Sequence, residues 1–238
     1  MALSQRDELK KASALRAIEY VKDGMVVGLG TGSTAYFVVE GLGERVKQGL
    51  KIVGIPTSER TATQARGLNI PLATFAEYSS IDLTIDGADE VERGTLNLIK
   101  GLGGALLREK IVATAGDRLI IVVDEEKLVD QLGDHTPVPV EVTQFGWQAT
   151  AAKLTKLGAE PVLRHAAEDH PFITDGGNYI LDCRFARIDE PSVLERRIRD
   201  IVGVVECGLF VGRSSAVIVA STAGVEMLTP AATPRGVI

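Results

Sequence analysis

Between residues 86 and 110 the chain carries Asp86-Gly87-Ala88-Asp89-Glu90, then Lys100-Gly101-Leu102-Gly103-Gly104, then Arg108-Glu109-Lys110. Carboxylates and a lysine gathered around glycine loops suit proton transfer on a small anionic substrate. A carboxylate serves as a base at neutral pH when burial or a like-charged neighbour raises its pKa. Lys100 can stabilise an oxyanion while loop amides hold neighbouring oxygens. All three histidines, His135, His165 and His170, lie in a later part of the chain, so carboxylate, lysine or substrate oxygens must carry the protons. Glu109 is the best-placed base, in the second turn of a helix expected after Gly103-Gly104. Blander readings stay open on spacing alone. Asp86 can be a turn cap worth about 1 kcal/mol, Asp89 and Glu90 can face water, Glu109 can be a solvent-facing helix residue, and each lysine an ordinary surface group.

A second glycine loop, Gly28-Leu29-Gly30-Thr31-Gly32-Ser33-Thr34, follows a short apolar run. Its glycines let the backbone turn, and Ser33 and Thr34 start a helix whose free amides and positive end form a phosphate cradle. Two nucleotide-binding explanations fit poorly. A P-loop needs Gly-Lys-Ser/Thr, and this loop has no lysine. A dinucleotide loop needs an acidic residue about 20 positions on, and residues 45–58 contain no carboxylate.

These loops require elements that position them. Residues 7–22 have the spacing of an amphipathic helix. Strands are expected at 25–29, 51–55, 81–85 and 118–123, and helices after 34, over 59–66 and over 103–115. Strands alternating with helices indicate a parallel sheet with right-handed crossovers, whose ligand sites collect beyond the carboxyl ends of the strands. The loops at 28–34, 56–58 and 86–89 all occupy that position. After Asp130 the texture changes. A connector at 136–139 leads to helices at 147–157 and 191–199 and strands at 161–163, 172–174, 179–185 and 204–207, with a tight turn at 175–178. The expected fold is α/β, with residues 1–130 plus 208–238 forming the main domain and 131–207 a small α+β domain.

Composition bounds the function class. The 238 residues are 45% hydrophobic and 24% charged, with a formal net charge of -6. Such a chain buries a core without staples, and its acidic balance argues against a broad nucleic-acid face. Cys183 and Cys207 stand apart and read as buried free thiols. No apolar signal segment or membrane span is expected, which makes a cytoplasmic location the default. No histidine or recurrent carboxylate spacing supports a metal site near the glycine loops, so no metal is expected.

The ordered set formed by residues 7–11, 28–34, 86–90, 100–104, 108–110 and Val122-Val123-Asp124 through Lys127 closely resembles the type A ribose-5-phosphate isomerase family, over almost the whole chain. The resemblance implies reversible conversion of D-ribose 5-phosphate to D-ribulose 5-phosphate in the non-oxidative branch of the pentose phosphate pathway. It implies a Rossmann-like, mostly parallel sheet flanked by helices, a smaller α+β domain, no required cofactor, and a homodimer with a homotetramer as the alternative. It carries the catalytic base onto Glu109, with Asp86, Asp89 and Lys100 assisting. Substrate contacts fall on Lys10, on Thr31, Gly32, Ser33 and Thr34, on Asp86, Gly87, Ala88 and Asp89, on Lys100, Gly101, Leu102 and Gly103, and on Lys127. Leu102 interrupts a run that is more uniformly glycine in the family, and Gly176 stands where many relatives have asparagine. Competing readings are a hexosamine-phosphate deaminase, betrayed by ammonia release; a non-catalytic sugar-phosphate sensor, which binds without turnover; and a CoA transferase with a glutamyl-CoA intermediate.

Overall fold

The computed structural model describes residues 3–166 and 170–230. The ends of the expected main domain, 1–2 and 231–238, and residues 167–169 of the smaller one lie outside that range. In chain order the elements are α1 (Gln5–Ile18), β1 (Val26–Leu29), α2 (Ser33–Lys47), β2 (Val53–Pro56), α3 (Glu59–Gly67), β3 (Leu83–Asp86), β4 (Glu90–Glu92), β5 (Leu98–Ile99) and α4 (Leu106–Thr114). They continue with β6 (Leu119–Asp124), β7 (Leu128–Val129), β8 (Val138–Val142), α5 (Trp147–Lys156), β9 (Ala159–Leu163), β10 (Tyr179–Phe185), α6 (Pro191–Arg199), β11 (Val204–Cys207), β12 (Leu209–Phe210), β13 (Ala216–Ser221) and β14 (Gly224–Leu228).

The main sheet has the order β14-β13-β6-β3-β1-β2, parallel throughout except for the antiparallel edge strand β14. A parallel sheet is stable only when both faces are covered, so its strands read as apolar runs. Along β6, Ile120 and Val122 pack with Ala14, Phe37 and Leu42 of α1 and α2. Leu119, Ile121 and Val123 face the other way, onto Val91, Leu98 and Phe210. That second layer is a small sheet of order β12-β5-β4-β7. A third sheet, β11-β8-β10-β9, is antiparallel and packs its own core against α5 and α6, with Leu154, Ile198, Cys183 and Cys207 buried there. Both cysteines are free and buried, as expected.

Two expectations need correction. Residues 172–174 form no strand; Pro171 makes one isolated bridge to His165, and Thr174 enters the 175–178 turn through bonds with Asn178 and Gly177. Helix α4 starts at Leu106, which puts Glu109 in its first turn. No helix among the described residues is long and apolar enough to cross a membrane.

Candidate active site

The carboxyl ends of β1 and β3 bring the two glycine loops together. Gly30 donates its amide to Ile85 O, and Thr31 donates its amide to Asp86 Oδ1 at 3.0 Å. Asp86 also accepts from the Gly87 amide at 2.8 Å. The close approach requires glycine at position 30, because a Cβ there would lie 2.5 Å from Asp86 Cγ and 2.6 Å from its Cα. Gly32 has φ of 122° and begins α2 without a side-chain cap, which leaves the first amides of that helix available to an anion. The Thr31 hydroxyl is committed beneath the loop, to Thr57 at 2.7 Å, Ser58 at 2.8 Å and Thr61 at 3.0 Å.

Lys100 is the centre of the charged cluster. It follows β5, its backbone tied to Gly208, and its side chain is 2% exposed. Its ammonium donates to Gly87 O at 2.6 Å and lies 3.0 Å from Asp86 Oδ2 and 3.3 Å from Glu109 Oε1. Burial alone would lower its pKa; the carboxylates of Asp86, Glu109 and Asp89 outweigh burial and raise it above the ordinary lysine value. The lysine is therefore a fixed positive charge at neutral pH.

Glu109 is 3% exposed, and its Oε2 has no hydrogen-bond partner. Burial, reinforced by the charges of Asp86 and Asp89 against the opposing pull of Lys100, pushes its pKa up to about 8. Asp89 is also raised by burial, against the Leu102 amide, Lys100, Lys127 and Arg164. The Leu102 amide donates to Asp89 Oδ2 at 2.9 Å and ties the glycine loop at 100–104 to the acidic run at 86–90. An ionised carboxylate with a free oxygen, a raised pKa and an adjacent fixed cation is a competent base for a weakly acidic C–H.

These groups enclose a cavity of about 80 Å³ lined by Thr31, Gly32, Ser33, Thr34, Gly87, Ala88, Asp89, Lys100, Gly101, Gly103, Glu109 and Lys127. Three expected site residues are not in the lining. Asp86 lies beneath it, with one oxygen on the loop amides and the other facing Lys100. Lys10 pairs instead with Asp7 on α1, 3.4 Å away. The Leu102 side chain is 39% exposed.

Sequence reasoning missed the groups that brace the loops. Arg164 donates to the carbonyls of Gly101 and Leu102 at 2.9 and 3.1 Å, is itself held by Asp182, and lies over the Phe172 ring. Glu90 is buried rather than facing water and accepts from the amides of Gly133, His135 and Thr136, fastening the connector before β8. Lys110 is buried, with its ammonium 2.9 Å from Glu195 and 3.0 Å from Glu206. Among the described residues, the one grouping with metal-type ligand spacing is Glu195, Glu206 and Cys207, and that ammonium already bonds both of its carboxylates. None of these bracing contacts has a local signal, because each joins residues distant in the chain.

The model of the family Ribose 5-phosphate isomerase A (phosphoriboisomerase A) matches residues 53–224. A relative named ribose-5-phosphate isomerase A from Gloeobacter violaceus is 65% identical over 228 residues, covering 96% of this chain and 99% of that protein. Its namesake from a Synechococcus strain is 54% identical over 95% of this chain and 99% of its own length. Among solved structures, ribose 5-phosphate isomerase A from Methanocaldococcus jannaschii superposes with a TM-score of 0.91 at 43% identity, covering 94% of this chain and all of that one. A D-ribose-5-phosphate isomerase solved with phospho-erythronic acid gives 0.92 at 42% identity, over 95% of this chain and all of its own. The chain belongs to the ribose 5-phosphate isomerase A family.

Proposed function

We propose that Glu109 is the single base that moves the carbon-bound proton in the reversible isomerisation of D-ribose 5-phosphate and D-ribulose 5-phosphate. That isomerisation is the activity of this enzyme, in the non-oxidative branch of the pentose phosphate pathway. The observation that carries the assignment is the pairing of a partnerless Glu109 Oε2 with an Oε1 held 3.3 Å from Lys100.

The steps follow from this arrangement. After the sugar ring opens, Glu109 takes the proton from C2 of the aldose and delivers it to C1. As the carboxylate becomes neutral, the negative charge moves onto the enediolate oxygens, and Lys100 stabilises it there. Asp89, which lines the cavity and has a raised pKa, exchanges the oxygen-bound proton between O2 and O1. Asp86 holds Lys100 and the Thr31 loop in place. The uncapped start of α2 at Gly32, Ser33 and Thr34, together with Lys127, holds the phosphate. Binding that remote group orients C1 and C2 without entering the bond changes. Phospho-erythronic acid, present in one similar solved structure, carries a planar anionic carboxylate and a phosphate, and the enediolate of this sugar likewise pairs a planar anionic group with a phosphate. Lys10 is read as a second phosphate contact that must leave Asp7 to reach it.

The resemblance also supports a homodimer, with a homotetramer as the alternative, a cytoplasmic location, and a division at 131–207 between the two domains. Light scattering, cell fractionation and limited proteolysis test these three points. For the activity, ribose 5-phosphate is followed by NMR in deuterated water with chelator-treated enzyme. Ribulose 5-phosphate carrying deuterium at C1 is expected. No conversion by folded enzyme that still binds the sugar would replace this reading with a sensor.

A further inference from the structure

Arg60 sits in the first turn of α3, directly after Glu59. A helix start is electrostatically unfavourable for a cation, which gains nothing from the partial positive charge of the terminal amides. Glu59 does not compensate it, because that carboxylate is turned to Arg108 at 2.8 Å. Among the described residues the Arg60 guanidinium has no hydrogen bond or ion pair. An exposed, unpaired arginine in that place has no structural explanation.

Its position supplies another one. Arg60 Nη2 lies 3.7 Å from the point where a Gly103 side chain would begin, and Thr31 Cγ2 lies 3.8 Å from the same point. Gly103 and Thr31 both line the active-site cavity. Arg60 also walls a neighbouring hollow of about 470 Å³, which shares Gly32 and Ser33 with that cavity. The guanidinium thus stands where the two spaces meet, beside the uncapped start of α2 and at the start of α3. Its planar fork suits a phosphate monoester, which accepts two parallel bonds.

We propose that Arg60 is a substrate-binding residue that closes over the phosphate from the α3 side, adding a bidentate cation to the amides of α2. The proposal rests on the reading of Gly32 to Thr34 as the phosphate end of the site. It accounts for a cation kept against the helix dipole. A local positive site also draws a dianion toward a chain whose formal net charge is -6.

The test is steady-state turnover of ribose 5-phosphate by Arg60→Gln and Arg60→Lys, with inorganic phosphate as a competitive inhibitor. Arg60→Gln is expected to raise KM and the inhibition constant of phosphate together by about tenfold, equivalent to about 1.4 kcal/mol, with kcat within twofold. Arg60→Lys should recover part of the loss, and Tm should not fall in either variant. Unchanged KM and unchanged phosphate inhibition in Arg60→Gln would overturn the proposal. Ser33→Asp separates the two readings. If phosphate inhibition is lost in Ser33→Asp but unaltered in Arg60→Gln, only the Arg60 proposal fails. If it is unaltered in both, the assignment of the phosphate end fails as well.

Discussion

Lys100 Nζ lies 3.3 Å from Glu109 Oε1, while the second oxygen of that carboxylate, on a residue that lines the cavity, is buried without a hydrogen-bond partner. In the mechanism proposed above, the pair divides the labour of proton transfer within one buried contact: Lys100 holds one carboxylate oxygen, and the other accepts the proton from carbon.

The pH dependence follows from what raises the Glu109 pKa. Burial is the largest cause, and the charges of Asp86 and Asp89 add to it. The base works when ionised, so kcat/KM should climb with pH through a midpoint well above the ordinary carboxylate range. Removing a neighbouring negative charge lowers that midpoint. Asp89→Asn should therefore move the acid limb to lower pH than in wild type, whatever it does to the plateau. Parallel kcat/KM profiles check this, and an acid limb that stays in place would contradict it.

The same shift appears in stability. Glu109 titrates near 8 in the folded protein, above its ordinary value of 4.5, so the native state binds more protons between these values. The folded state consequently loses stability as pH rises from about 4.5 to 8. Glu109→Gln removes that loss while Lys100 keeps Asp86 and Gly87 as partners. The Tm of the variant relative to wild type should be lowest near pH 4.5 and rise toward pH 8, by about 2–4 °C for each kcal/mol recovered. A pH-independent difference in thermal melts would argue against a buried, uncomfortable carboxylate.

Lys100→Met removes the cation and leaves Asp86 and Glu109 buried together without compensation. Breaking a buried ion pair from one side costs about 3–5 kcal/mol, and losing one oxyanion stabiliser costs about 10²–10³ in kcat. Urea denaturation and turnover at saturating substrate should show both losses. A variant as stable as wild type would mean that the carboxylates protonate or move freely.

Gly30→Ala tests the meeting of the two loops. The new methyl would lie 2.6 Å from the Asp86 backbone, so the loop or Asp86 must shift, at about 1–3 kcal/mol. The displacement also disturbs the Asp86–Lys100 contact. Activity should fall at least about tenfold, since small misplacements of reacting groups are costly, while the circular dichroism spectrum stays that of the wild type.

The frame was legible in the sequence because the main parallel strands are short apolar runs, the first two of them leading through a turn into a helix, as at 26–34 and 53–59. Glu109, Asp89 and Lys100 were legible as types suited to the chemistry, but only the ordered set of motifs raised them above surface residues. The strands of two or three residues at 90–92, 98–99, 128–129 and 209–210 were not legible, being too short to show alternation. Glu90, Arg164 and Lys110 were concealed for another reason: contacts such as those to Gly133, Gly101 and Glu195 join residues far apart in the chain and are supplied by packing. Lys10 marks the opposite case. The motif placed it at the phosphate, whereas here it remains on its own helix with Asp7.

The central claim is that Glu109 moves the carbon-bound proton, and the most direct test is single-turnover conversion of ribose 5-phosphate by Glu109→Gln beside wild type. Inorganic phosphate binding is measured on the same samples. The account predicts a loss of at least about 10³ in rate, at the strong end of what general-base catalysis contributes, with phosphate affinity within a few fold of wild type. Turnover within tenfold of wild type, with binding intact, would contradict it and transfer the role to another group in the cavity.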